Sequence, residues 1–111
     1  MQYCQLTLNL NKMKTNFVNK LNQNSELQKF GTLSQMRVID ETEQTDDPGN
    51  TILIIAFIPF KGEDNHNLCY NAIPEIQKSL SEDFDSSGDH SEDITVLTQN
   101  NEFLIIYNAN C

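Results

Sequence analysis

Between Thr51 and Phe60 the chain reads Thr-Ile-Leu-Ile-Ile-Ala-Phe-Ile-Pro-Phe, a β-branched apolar run that closes on a proline. Such side chains are stiff at χ1 and suit a pleated surface, and proline cannot donate to a strand ladder, so the run reads as a strand ending at Pro59. Polar and apolar residues do not alternate within it, which implies a strand with apolar side chains on both faces. Phe103–Ile106 has the same character. A two-layer sandwich covers only one face of its sheet. The uncovered face is therefore expected to meet either another subunit or a third layer, and a sheet-to-sheet homodimer is the preferred reading.

The remaining elements follow from changes of period. Cys4, Leu6, Leu8 and Leu10 alternate with polar residues over 3–10, which predicts a strand with one buried face. From about Met13 the spacing becomes helical, with Met13, Phe17 and Leu21 on one stripe and Val18 beside it. A start at Met13 would remove the first strand. Asn22–Ser25 weakens that helix, Ser25 is placed to cap a last short turn through Lys29, and Gly31 to end it. Leu33–Asp40 is a weaker strand, and the polar stretch Glu41–Asn50 ends in the turn signal Asp46-Asp47-Pro48-Gly49-Asn50. A second helix is expected to start near Ile73-Pro74, because proline suits the first helical position. Its stripe is Ile73, Ile76, Leu80 and Phe84. Residues 85–93 read as an acidic loop. Ile94–Thr98 and Phe103–Tyr107 flank Asn100-Asn101, a hairpin turn built on the tolerance of Asn for positive φ. The order β-α-β-β-α-β-β gives an α+β fold in one domain over 1–111. It predicts a two-layer, ferredoxin-like βαββαβ sandwich with an extra C-terminal strand.

Charge narrows the partners. Residues 1–39 carry five bases and the single acid Glu26, or +4, whereas 40–111 carry fifteen acids against Lys61 and Lys78, or −13. With seven bases to sixteen acids, nucleic acid and anionic membrane surfaces are disfavoured. The longest apolar run is far short of the ~20 residues a spanning helix needs. Cys4, Cys69 and Cys111 are odd in number and far apart, so no disulfide framework is expected, and a reduced, cytoplasmic setting is the default.

Two segments carry candidate chemistry. In 83–94, Asp83, Asp85 and Ser87 sit at the first three odd positions of a loop with Gly88 sixth, which resembles the start of an EF-hand calcium loop. Ile94 stands at the twelfth position, where that family has a bidentate Glu. The segment His66-Asn67-Leu68-Cys69 with Pro74 is similar to the thioredoxin motif. That resemblance implies a reactive Cys69 activated by His66, although the family's first Cys is absent and no proline follows Pro74. Two histidines do not make a zinc site, and no glycine-rich phosphate loop is present. No cofactor or metal is expected, and no catalytic residue is assigned.

The function expected from these residues is binding without catalysis. An inhibitor or immunity-type protein would engage a basic surface on another protein through Asp83, Asp85, Asp89, Glu92 and Asp93, with charge speeding encounter. The alternative is a dimeric regulatory domain holding a small molecule between subunits, and a lesser alternative is a calcium-binding loop at 83–94.

Overall fold

The computed structural model describes residues 10–45, 49–62, 66–84 and 91–110. The first expected strand, over 3–10, falls outside them except for Leu10, which opens a helix. In chain order the elements are α1 (Leu10–Gln23), α2 (Ser25–Phe30), a 3-10 turn over Leu33–Gln35, and β1 (Arg37–Thr45). There follow β2 (Gly49–Pro59), α3 (His66–Ser81), β3 (Ser91–Gln99) and β4 (Glu102–Asn110). The strands form one antiparallel sheet in the order β1-β2-β4-β3.

The helical stripe of α1 is as expected: Phe17 and Leu21 are fully buried and Met13 packs half-buried beside them. The break after Gln23 has a definite cause. Asn24, in extended backbone, accepts the Leu27 N–H on Oδ1 at 3.0 Å and so caps α2, one residue before the expected Ser25. Its Nδ2 donates to Ser79 Oγ at 2.8 Å. A buried side chain with both ends satisfied thus fastens α2 to α3.

Two boundaries are corrected. β1 begins at Arg37, because a 3-10 turn takes Leu33–Gln35, and it continues through Thr45 into the stretch read as polar connection. α3 begins at His66, eight residues before Pro74, which sits inside the helix on its exposed side. Proline there removes the N–H that Tyr70 C=O would receive, yet solvent reaches that side of the helix. The buried face that compensates is Cys69, Ala72, Ile76 and Leu80. The C-terminal strand is also no appendage. β4 lies between β2 and β3, at the centre of the described sheet and antiparallel to both neighbours. The hairpin joining β3 to β4 is as expected, with φ of 51° and 62° at Asn100 and Asn101.

The three described helices lie on one face of the sheet. Ile52, Ile54, Ala56 and Ile58 of β2 and Phe103, Ile105, Tyr107 and Ala109 of β4 point into that layer and are buried. At one end Phe17, Phe84 and Tyr107 form an aromatic triangle with centroids 5.3–6.1 Å apart. The basic N-terminal third is pinned to the acidic remainder by ion pairs from α1: Lys14 to Asp40 at 3.4 Å and Lys20 to Asp83 at 3.9 Å. Both pairs are partly solvated and contribute at most about 1 kcal/mol each.

Tyr107 carries a pH dependence. Burial, then a hydrogen bond from its hydroxyl to the Glu92 carboxylate and that group's charge, raise the phenol pKa above its ordinary value. The unfolded phenol ionises near pH 10 while the folded one keeps its proton, so stability is fully present below about pH 10 and is lost as pH rises beyond it. Urea midpoints between pH 8 and 11.5 are expected to fall more steeply for the native chain than for Tyr107→Phe. Parallel slopes for the two proteins would remove Tyr107 as the cause.

Candidate functional site

The opposite face of the sheet has no helix over it among the described residues. Strand register sets its composition, because directly paired residues share a face. Ile39, Ile55, Ile106 and Thr95 form one row across the four strands. The next row is Arg37, Phe57, Leu104 and Leu97, and on the other side lie Glu41, Leu53, Asn108 and Asp93. The central strands, β2 and β4, therefore expose Leu53, Ile55, Phe57, Leu104 and Ile106 as one apolar block. These five are half-buried. The edge residues Ile39 and Leu97 are 43% and 46% exposed.

The block is bounded differently at its two ends. At one, Thr51 Oγ1 donates to Asn110 Oδ1 at 2.9 Å and Asn110 Nδ2 donates to Asn108 Oδ1 at 3.0 Å, with Glu41 and Asp93 on the flanking strands. At the other, Arg37 reaches across β2. Its guanidinium sits 4.8 Å from the Phe57 ring centroid and 3.6 Å from Glu102 Oε2 on β4. With two central strands about 4.8 Å apart and three rows about 6.8 Å apart, the flat footprint of the apolar block is roughly 200 Å². Its continuity across two strands makes it the candidate contact surface of the described residues.

The acidic candidates do not converge among the described residues. Asp83 follows α3 and faces Lys20. Glu92 and Asp93 are consecutive in β3, so they point to opposite faces, Glu92 toward Tyr107 and Asp93 onto the open sheet. Asp85 and Asp89 lie outside the described residues. In the 83–94 segment, Ser91–Ile94 belong to β3 and Ile94 is buried in the core, so the twelfth position of the EF-hand alignment supplies a packing residue. No group of three or more His, Cys, Asp or Glu among the described residues is placed to hold a metal ion.

The thioredoxin resemblance fares similarly. Cys69 lies inside α3, fully buried, with Sγ 3.9 Å from Phe30 C=O, and burial pushes its thiol pKa up, away from the thiolate. His66 packs its ring against Phe60, centroids 6.0 Å apart. No described helix is long and apolar enough to cross a membrane.

The chain matches no protein-family model, no curated protein and no solved structure at a significant level, so its own geometry carries the functional reading.

Proposed function

We propose that this chain is a small non-catalytic protein-binding module that pairs with a second copy of itself through the open face of its sheet. The observation that carries the reading is the apolar block Leu53, Ile55, Phe57, Leu104 and Ile106 on a face left uncovered among the described residues. Two such faces packed about 10 Å apart would bury it, with the Thr51–Asn110–Asn108 polar end as rim. A stable dimer buries roughly 800 Å² per partner, so the block would be the dry centre of the contact and not the whole of it.

The acidic residues suit a different partner. A net charge of −9 on 111 residues favours encounter with a basic protein surface, and of the expected contact residues Asp83 and Asp93 are exposed. An inhibitor or immunity-type role is the finer form of this reading.

Salt separates the two contacts by sign. Two copies at −9 each repel, so screening should strengthen self-association, whereas binding to a basic partner should weaken. Size-exclusion with light scattering is expected to give twice the 12.7 kDa chain mass, with the dimer fraction rising between about 0.05 and 0.5 M salt. A monomer throughout at about 100 μM, where a contact of this kind should be populated, would sink the homodimer.

A further inference from the structure

Sheet edges expose unpaired backbone groups, and proteins usually blunt them. At the β1 edge, Arg37, Asp40 and Glu41 supply charge, and Asp40 is held by Lys14 of α1. The β3 edge is treated unevenly. Its first residues include Glu92 and Asp93. In the middle, Gln77 of α3 acts in place of a neighbouring strand: its Nε2 donates to Ile94 C=O and its Oε1 accepts the Val96 N–H at 2.8 Å. One side-chain amide thus supplies the donor and acceptor that a residue of an added strand would supply.

The next pair along has no such cover. In the two-residue hairpin, Gln99 and Glu102 flank the turn as a hydrogen-bonded pair, so odd residues of β3 bond to β4 and even residues point their backbone outward. The Gln77 contacts to Ile94 and Val96 agree with that phase. Val96 C=O and Thr98 N–H therefore face out, and no described residue pairs with them. Beside them lies a largely apolar groove of about 400 Å³ between α3 and β3, lined by Tyr70, Ile73, Pro74, Val96, Leu97 and Thr98. Tyr70, 61% exposed, stands at its mouth. Pro74 leaves Tyr70 C=O without its helical donor on the same helix segment.

We propose that this groove is a peptide site. An extended segment of a partner protein adds to β3 beyond Gln77, giving an N–H to Val96 C=O, accepting the Thr98 N–H, and seating an apolar side chain between α3 and β3. Charge selects the flanking residues: Asp93 lies on the same strand of a chain at −9, so the segment carries Lys or Arg beside its apolar anchor. This site meets the open face only at Leu97 and does not depend on the self-association proposed there.

The test uses the full chain, ¹⁵N-labelled, titrated with a capped heptapeptide of alternating Lys and Val, and with its Glu-Val counterpart. Amide shifts are expected at Val96–Gln99 and along Tyr70–Ile73, with the Lys peptide binding at least about tenfold tighter. Thr98→Pro removes only an outward N–H and is compatible with an edge strand, so it should fold and lose at least about tenfold in affinity. Tyr70→Ser, at an exposed position, should weaken binding without touching the strand, while Ile106→Asp should bind the peptide as the native chain does. Equal affinity for both peptides, unchanged affinity in Thr98→Pro or Tyr70→Ser, or shifts centred on Ile55 and Ile106 would overturn the site. Self-association abolished by Thr98→Pro, with no peptide binding to the native chain, would show that a second copy covers this edge and would overturn the peptide reading.

Discussion

Gly31→Ala is expected to destabilise the chain by about 2 kcal/mol, seen as a fall of roughly 1 M or more in urea midpoint at unchanged slope. The cause is not backbone freedom. Gly31 closes α2 with φ −116° and ψ 150°, an extended conformation that any residue adopts. What it supplies is the absence of a side chain where α2 meets β2. A Cβ there would stand 2.7 Å from Ile58 Cγ2 and 3.2 Å from Leu27 C=O. Neither neighbour yields easily. Ile58 is fully buried, and Leu27 C=O is fixed by the Gly31 N–H at 2.7 Å. The backbone at this point also bridges Phe60, and Thr32 N–H donates to Pro59 C=O at 2.7 Å, so a retreat of α2 would break the clasp on the end of β2. Overpacking of this kind costs about 1–3 kcal/mol, and the alanine recovers only about 0.5 from the unfolded chain. A coupling test isolates the clash. In the background of Ile58→Ala, which removes the Cγ2, adding Gly31→Ala should cost less than it does alone. Equal costs in both backgrounds would mean that the Cβ is accommodated elsewhere.

Where period is strong, the sequence was a reliable guide. The β2 run, the Phe17–Leu21 stripe and the Asn100-Asn101 turn each place a local rule and a tertiary need in agreement, and all three elements stand where expected. The errors fall where local rules conflict. Pro74 reads as a helix start because its fixed φ suits that position, but the buried face from Cys69 to Leu80 outweighs a proline whose lost hydrogen bond opens toward solvent. Glu41 to Gln44 reads as connection because it is polar, yet its backbone pairs along β2 from Leu53 to Asn50, and an edge strand tolerates charge. The position of β4 was the least legible feature. Which strands neighbour one another is a long-range property, and no single segment encodes that β4 sits between β2 and β3.

The candidate surface was legible as a property and not as a place. Apolar residues on both faces of β2 and β4 announced an apolar face beyond the core, and strand register then assigned each residue to it. The acidic residues, prominent in composition, divide once they are folded: a strand separates Glu92 from Asp93 by pointing them apart, and Lys20 meets Asp83. The groove beside β3 gave no sequence signal at all. It depends on the outward phase of Val96 and Thr98, which the hairpin register fixes, and on Gln77 stopping one pair short of them.

Two adjacent substitutions on β4 should behave as opposites. Ile106→Asp is expected to leave a folded chain and to weaken self-association by more than about 100-fold, whereas Ile105→Asp should not fold. The two positions differ only in the face they serve. Ile105 is fully buried beneath the helices, so a carboxylate there would stay uncompensated within the core, a loss comparable with the whole stability of a small domain. Ile106 lies at the centre of the open block between Ile55 and Thr95, half-buried, and in a lone chain its replacement can still turn to water. Its cost to the monomer is the poor strand propensity of Asp and the lost packing on Ile55, about 1–2 kcal/mol. In a sheet-to-sheet pair the two-fold axis brings two such carboxylates into the dry centre, and each unpaired buried charge costs about 3 kcal/mol or more, which sets the scale of the affinity loss. Equilibrium ultracentrifugation of Ile106→Asp, with far-UV circular dichroism as the check on folding, reads both halves of the claim. A folded Ile106→Asp that still sediments as a dimer would place the contact elsewhere, and an unfolded one would show that the open face supports the fold itself.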